Sequence, residues 1–143
     1  MTLDELLAEC KASNDYQKLV DQVPYARLFG IQCERFGEEV LFKMPPRQSN
    51  IGNPSLPAIH GGALGGFIEH AAILHVIMFM EAPKFPRIID LSIDYLSAGH
   101  YRETYAECRV LRMGRRIANV SIDLWQKSRT SPIATARAHL LLE

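Results

Sequence analysis

The sequence predicts a single α+β domain in which several antiparallel strands pack against one long apolar helix. Two patterns support this class. Apolar residues dominate the run from Ala63 to Met80, which is typical of a buried helix. Segments on both sides of that run alternate between apolar and polar residues, as half-buried strands do. Strands that are separated along the chain from one covering helix are typical of α+β proteins.

The first 22 residues have the pattern of an amphipathic helical segment. Apolar residues recur at helical spacing between Leu3 and Val20, with a possible break near residues 13–15. Pro24 ends the segment, because proline does not continue a helix. We assign residues 1–143 to one domain, with residues 1–22 as an N-terminal helical extension.

Period-2 alternation marks the strands. Residues 31–44 predict a strand pair, or one bent strand, around Gly37. Four prolines make residues 45–57 a predicted loop before the helix. Four further alternating runs follow the helix, and their succession predicts an antiparallel meander with one solvated face. These runs cover residues 90–95, 106–110, 118–124 and 134–140.

Composition narrows the classes of function. Of the 143 residues, 48% are apolar and 22% are charged, which predicts a globular chain. The formal net charge is zero, which gives no indication of nucleic acid or of an anionic membrane as a partner. The three cysteines are far apart, so neither a zinc site nor a disulfide framework is indicated. We therefore expect a protein without a metal site. We also expect a cytoplasmic location, since the acidic N-terminus does not resemble a secretory signal.

The start of the central helix carries an unusual set of residues: Gly61, Gly62, Gly65, Gly66 and Glu69. A glycine inside a helix costs about 1 kcal/mol relative to alanine, so four of them need a reason. The last four of these residues lie at i, i+3, i+4 and i+7 and therefore share one helix face. That face should offer almost no side chain before Glu69, which would let a ligand approach the backbone closely.

The helix start itself is a candidate binding site for a carbonyl group. His60-Gly61-Gly62 marks the start, and the first N–H groups of a helix lack internal acceptors. Such donors, followed by the Glu69 carboxylate on the same face, have the elements of an acyl-transfer site. Two other interpretations stay open: the glycines could supply a turn with positive φ, and Glu69 could form an ion pair across a dimer interface.

These residues resemble a known family. Over roughly residues 20–143 the chain is similar to the hotdog-fold thioesterases, specifically to the branch of the phenylacetate-pathway thioesterases. The matching residues are Asn53, His60-Gly61-Gly62, Glu69, Asp94-Tyr95-Leu96 and Gly114-Arg115-Arg116. The resemblance implies a hotdog fold, with an antiparallel sheet wrapped around one long central helix. It also implies hydrolysis of acyl-CoA thioesters to free acid and CoA, with no cofactor beyond the coenzyme A of the substrate.

The resemblance implies a role for each residue of the reaction centre. Glu69 would be the nucleophile or the general base that activates water. The Gly61 N–H would polarise the thioester carbonyl and hold the oxyanion. Asn53 would orient the water or the carboxylate, and His60 would shape the loop and could contact the thioester.

The resemblance also implies how the substrate is held. Gly62 would bind the thioester end of coenzyme A, and Gly114, Arg115 and Arg116 would contact its phosphates. A solvated hairpin is the alternative interpretation of the two arginines. Such sites lie between subunits, so we expect a homodimer or a dimer of dimers.

Two departures from the family pattern concern catalysis and the grip on the nucleotide, and the first of them favours a second function. Relatives place a serine or threonine on the strand after the helix, where this chain has Ile88 and Ile89, and others place an arginine where it has Ser97. The alternative is therefore a non-catalytic protein that binds an acyl thioester or another apolar ligand. His70 and His75 lie on the apolar helix and are interpreted as packing residues rather than metal ligands.

Overall fold

The structure is a computed structural model that describes residues 1–143. The helices are α1 (Leu3–Ser13), α2 (Gln17–Val20), α3 (Pro24–Phe29) and α4 (Gly61–Phe79), with a short 3-10 turn at Gln48–Asn50. The strands are β1 (Gln32–Phe36), β2 (Glu39–Met44), β3 (Ile51–Asn53), β4 (Ala58–Ile59), β5 (Arg87–Tyr95), β6 (Thr104–Met113), β7 (Ile117–Trp125) and β8 (Ala134–Leu141).

Six strands form one antiparallel sheet in the order β1-β2-β6-β7-β8-β5, and β3 and β4 form a separate small hairpin. The predicted meander is therefore correct for β6, β7 and β8 but wrong for β5, which pairs with β8 at the far edge. Alternation specifies which face a strand buries but not which neighbour it pairs with. On the buried face, Leu91 and Ile93 of β5 lie opposite the small side chains of Ala138 and Ala136.

Helix α4 lies across the sheet and forms the centre of the core. Ten of its residues are buried, from Ala63 to Ile77, and they join a cluster with the inward side chains of the sheet. The helix is long and apolar enough to span a membrane by length and composition alone, but half of its apolar window is buried inside this chain. The predicted α+β class and central helix are thus confirmed.

The N-terminal extension covers one edge of the sheet. Leu19 and Val20 are fully buried in the same core. The side-chain amide of Gln17 lies along β1: its Nε2 donates to the Ile31 carbonyl (2.9 Å), and its Oε1 accepts from the Cys33 N–H (2.8 Å). One side chain thereby replaces a neighbouring strand at that point, and the extension is an integral part of the domain.

The loop between β5 and β6 fixes the hairpin that leads into α4. Gln126 is buried, and its Oε1 accepts from the His100 N–H (2.9 Å). Its Nε2 donates to the His100 carbonyl (2.9 Å) and to the Thr104 hydroxyl (3.1 Å). The same loop holds β4, because the Ile59 N–H donates to the Gly99 carbonyl (2.8 Å). One buried amide therefore fixes the backbone that precedes the helix start.

Replacing Gln126 with leucine should destabilise the protein by about 1–3 kcal/mol, because the buried Thr104 hydroxyl and the part-buried backbone groups of His100 would lose their partner. Gln48→Leu is the matched control, since Gln48 is exposed on the 3-10 turn and should change stability by less than about 0.5 kcal/mol. Urea unfolding of both variants measures the difference. Equal urea midpoints for the two variants would show that the hydrogen bonds of Gln126 do not stabilise the fold.

Candidate active site

The start of α4 leaves one backbone donor free. His60 is the N-cap residue, and its Nδ1 accepts from the Gly62 N–H (2.8 Å). Its carbonyl accepts from the N–H groups of Ala63 (3.0 Å) and Leu64 (3.2 Å). Among the first four N–H groups of the helix, that of Gly61 alone has no acceptor in the chain. This donor lies at the positive end of the helix dipole, where a carbonyl oxygen or oxyanion would be stabilised.

Two residues without an assigned role hold this turn in place. The Tyr95 hydroxyl donates to the Gly61 carbonyl (2.8 Å), and the Asn50 carbonyl accepts from the His60 N–H (2.7 Å). Tyr95 belongs to the segment that matches the family, whereas Asn50 lies on the 3-10 turn before β3 and is not among the predicted site residues. The bond between Tyr95 and Gly61 spans 34 positions, and neither spacing nor periodicity in the sequence could have indicated it.

The glycine face of α4 leaves less backbone open to a ligand than the sequence predicted. The ring of Phe29 lies over Gly66, where an added Cβ would come within 2.8 Å of it, so this glycine permits close packing of α3 rather than of a ligand. Ile93 and Tyr95 border Gly65 in ordinary contact. Gly62 remains exposed. The alternative that the glycines serve a positive φ is wrong, because Gly30 and Gly37 are the glycines with positive φ.

Glu69 lies on this partly open face, between the side bordered by β5 and the side bordered by α3. Its side chain is half-buried and forms no hydrogen bond or ion pair within the chain. Next to it, His70 Nδ1 lies 2.7 Å from the Gly66 carbonyl, and the His70 ring packs 5.5 Å from that of Tyr25. His70 is thus a packing residue, as predicted. A carboxylate without a partner on an apolar helix is available to a ligand or to a second subunit.

The free donor and the carboxylate do not meet within one chain. Gly61 and Glu69 are eight residues apart, which corresponds to about 12 Å along the helix axis. A glutamate side chain cannot cover that distance. One thioester group could contact both features only if they came from two different subunits.

Asn53 lies elsewhere. It is exposed in the hairpin before α4, and its Oδ1 accepts from the Ser55 N–H (3.0 Å) in a local turn. It makes no contact with Glu69 in the chain, so its predicted orienting role has no support within one subunit.

The hairpin of Gly114, Arg115 and Arg116 lies at the opposite end of α4 from Gly61. Arg115 lines a groove of about 700 Å³ together with Lys84 and Arg112. Arg116 pairs with Glu143 (2.9 Å), and both side chains are largely exposed. Glu81 and Glu143 line the same groove, so Arg115 lies among groups of both charges, whereas Arg116 is already partnered.

The serine or threonine hydroxyl that is absent at positions 88 and 89 is not supplied from another position of β5. Ile88 faces the core opposite Leu140, and Ile89 forms a bulge and is 53% exposed. Ser92 pairs with the exposed Arg137 on the outer face of the sheet, away from α4. No hydroxyl of β5 other than that of Tyr95 lies on the helix side of the strand.

Comparison with known proteins assigns the chain to a family. The sequence model described as "Thioesterase superfamily" matches residues 56–133, which is just over half of the chain. No curated protein matches. A crystal structure from Chromobacterium violaceum is 37% identical over 96% of both chains, with a TM-score of 0.77.

Two more distant structures share the fold. A phenylacetic acid degradation-related protein from Ralstonia eutropha is 19% identical, with 89% of this chain and 98% of that chain covered and a TM-score of 0.76. A Streptococcus mutans protein bound to acetyl-CoA is 16% identical, with 79% and 88% covered and a TM-score of 0.69. The fold and the matched sequence together show that the chain has the hotdog fold and belongs to the thioesterase superfamily.

Proposed function

We propose that the protein hydrolyses acyl-CoA thioesters to a free acid and CoA. The observation that carries this proposal is the single free N–H of Gly61 at the start of α4. Membership of the superfamily supports thioester hydrolysis, and the Streptococcus mutans structure contains acetyl-CoA as its bound thioester.

In the proposed reaction the thioester carbonyl accepts a hydrogen bond from the Gly61 N–H. Water attacks the carbonyl carbon while the Glu69 carboxylate takes its proton, and the negative charge moves to the carbonyl oxygen. The carbon–sulfur bond then breaks, and Glu69 returns the proton to the CoA thiolate. In the variant of this mechanism that stays open, Glu69 attacks the carbon itself and water hydrolyses the resulting anhydride.

The distance between the two groups leads to a shared site. Since about 12 Å along α4 separates Gly61 from Glu69, each site would combine Gly61 of one subunit with Glu69 of another. Strand β5 supports such a pairing, because it is a bare sheet edge and carries the exposed apolar side chains Ile89, Tyr95 and Leu96 at or beside it. A second copy on this edge would also cover the open face of α4. A homodimer is therefore the proposed unit, and a dimer of dimers is compatible with it.

The remaining predicted contacts concern coenzyme A. Arg115, with Lys84 and Arg112 beside it, would bind the phosphates, and Gly62 next to the donor would face the thioester end. The C-terminal end of α4 lies about 15 Å from Glu69 along the helix axis. The extended pantetheine arm of coenzyme A would have to bridge this distance.

Gly61→Pro should remove the donor without disturbing the helix. Proline is favoured at the first helical position, and His60 before it already has φ −60 and ψ 134, which proline requires. We expect kcat for thioester hydrolysis to fall by about 10²–10³, the loss typical of one oxyanion donor. Gly61→Ala is the control: it keeps the N–H, and its methyl group would lie 3.6 Å from the Tyr95 ring, an ordinary contact. Equal rates for the two variants would show that the carbonyl binds elsewhere.

Glu69→Gln keeps the size of the side chain but removes the base. Hydrolysis should fall by at least about 10²-fold, the low end for loss of a general base, while folding stays intact. Release of free thiol from a panel of acyl-CoA substrates measures the change. A rate within about threefold of wild type would rule out this role. The non-catalytic thioester-binding protein, which the missing hydroxyl near Ile88 favours, would then be the better proposal.

Co-expression of the two inactive variants tests the shared site. A mixed dimer of Gly61→Pro and Glu69→Gln subunits has one site in which both mutated residues meet and one site that is intact. Random pairing should therefore restore about a quarter of wild-type activity. Absence of any recovery, or sedimentation of the wild type as a 16.1 kDa monomer, would contradict the shared site.

A further inference from the structure

The sheet has a gap between β2 and β6. These strands pair over only three positions, Phe42 with Ala106, Lys43 with Tyr105 and Met44 with Thr104. In contrast, β2 pairs with β1 along its whole length. The β1–β2 hairpin therefore diverges from β6 beyond this point. From residue 107 onward, β6 still pairs with β7 on one edge but has no strand on the edge that faces β2.

A shallow cavity of about 480 Å³, widely open to solvent, lies at this gap and is lined by residues of the hairpin, α4 and β6. Its walls are mainly apolar and include Phe79, Val110 and Met113. Two exposed residues of opposite charge, Glu38 and Arg109, also line it. Glu38 and Arg109 also line a second cavity on the hairpin side of β6, so open space lies on both sides of the gap. The volume lies in the range of small-molecule sites.

His75 is the buried polar group of this cavity. It is 6% exposed, and its Nδ1 is completely buried without a hydrogen-bond partner. Its other ring nitrogen, Nε2, also makes no hydrogen bond but is not sealed from solvent. The ring packs 4.9 Å from that of Phe79. Because Nδ1 is sealed, Nε2 is the ring nitrogen that a molecule in the cavity could reach, and it has no hydrogen-bond partner in the chain.

The charge state of His75 limits what that partner can be. Burial, with a smaller contribution from Arg35, lowers the pKa of the imidazole to about 4. The ring is therefore neutral near pH 7. Burial also raises the pKa of the Cys108 thiol in the cavity wall, so this thiol stays protonated and is a poor nucleophile. These two groups can therefore offer a ligand hydrogen bonds but neither an ion pair nor a reactive thiolate.

We propose that this cavity binds a small uncharged apolar molecule that carries a hydroxyl group, with the hydroxyl hydrogen-bonded to the imidazole of His75. A hydroxyl both donates and accepts, so it can pair with either tautomer of the ring. The apolar part of the molecule would contact Phe79, Val110 and Met113. Glu38 and Arg109 at the rim carry opposite charges, so together they favour neither an anion nor a cation.

This site is separate from the proposed active site. His75 follows Glu69 by six residues, which places it about 9 Å along α4 and about 120° around the helix axis. The two side chains thus lie on different faces of the same helix. The proposal does not depend on thioester hydrolysis, and binding can be tested whether or not that function holds.

Benzyl alcohol and toluene make a matched pair of probes, since they differ only by one hydroxyl group. The nitrogens of His75 can be followed by NMR with ¹⁵N-labelled histidine, and the His75→Phe variant identifies their signals. We expect benzyl alcohol to shift these signals in a saturable way. It should also bind about two- to tenfold more tightly than toluene, as one hydrogen bond predicts. Absence of a shift up to the solubility limit, or equal affinity for both probes, would overturn the proposal.

Three variants locate the binding site. Val110→Trp should fill the cavity and weaken benzyl alcohol binding at least about tenfold, as expected when a ligand loses its pocket. Leu111→Trp adds the same bulk at the next position of β6, where the side chain is 49% exposed and does not line the cavity, and should bind as wild type does. His75→Phe should bind both probes equally. If Val110→Trp does not fold, the His75→Phe result decides alone: a preference for benzyl alcohol that persists there contradicts the proposal.

Discussion

The burial of α4 is the constraint on which the rest of the structure depends. A helix with apolar residues on almost every side must be removed from water on almost every side. The sheet covers one side of α4, and α3 covers another through the contact of Phe29 with Gly66. What stays uncovered is the narrow strip that carries Gly62 and Glu69. The candidate chemistry thus lies where the chain does not bury its own central helix.

The donor at the helix start shows how local hydrogen bonding can produce a binding site. His60 takes up three of the first N–H groups, one with its ring and two with its carbonyl. Asn50 and Tyr95 then hold the turn from both sides. Because each of these contacts uses a group other than the Gly61 N–H, together they fix its direction while leaving it free. Such preorganisation is what stabilisation of an oxyanion requires.

Much of this arrangement could be predicted from the sequence, and the limits have physical causes. Apolar runs and alternation predict α4 and the strands, since both reflect burial of local stretches. The motif around His60 predicts the helix start because caps and glycines act within a few residues. The position of β5 beside β8 could not be predicted, because pairing depends on contacts between residues far apart in the chain. The cover of Gly66 by Phe29 and the bond between Tyr95 and Gly61 were missed for the same reason.

The amide of Gln17 along β1 has a consequence for how the chain can associate. A sheet with two bare edges can add further copies at both ends without limit, which is the geometry of a fibre. Here the Gln17 side chain occupies backbone groups of Ile31 and Cys33 at the β1 edge, whereas β5 is an outer strand with an open edge. A surface that can pair only with itself gives an assembly that closes after two copies. In the proposed dimer, the N-terminal extension would therefore limit growth of the sheet beyond β1.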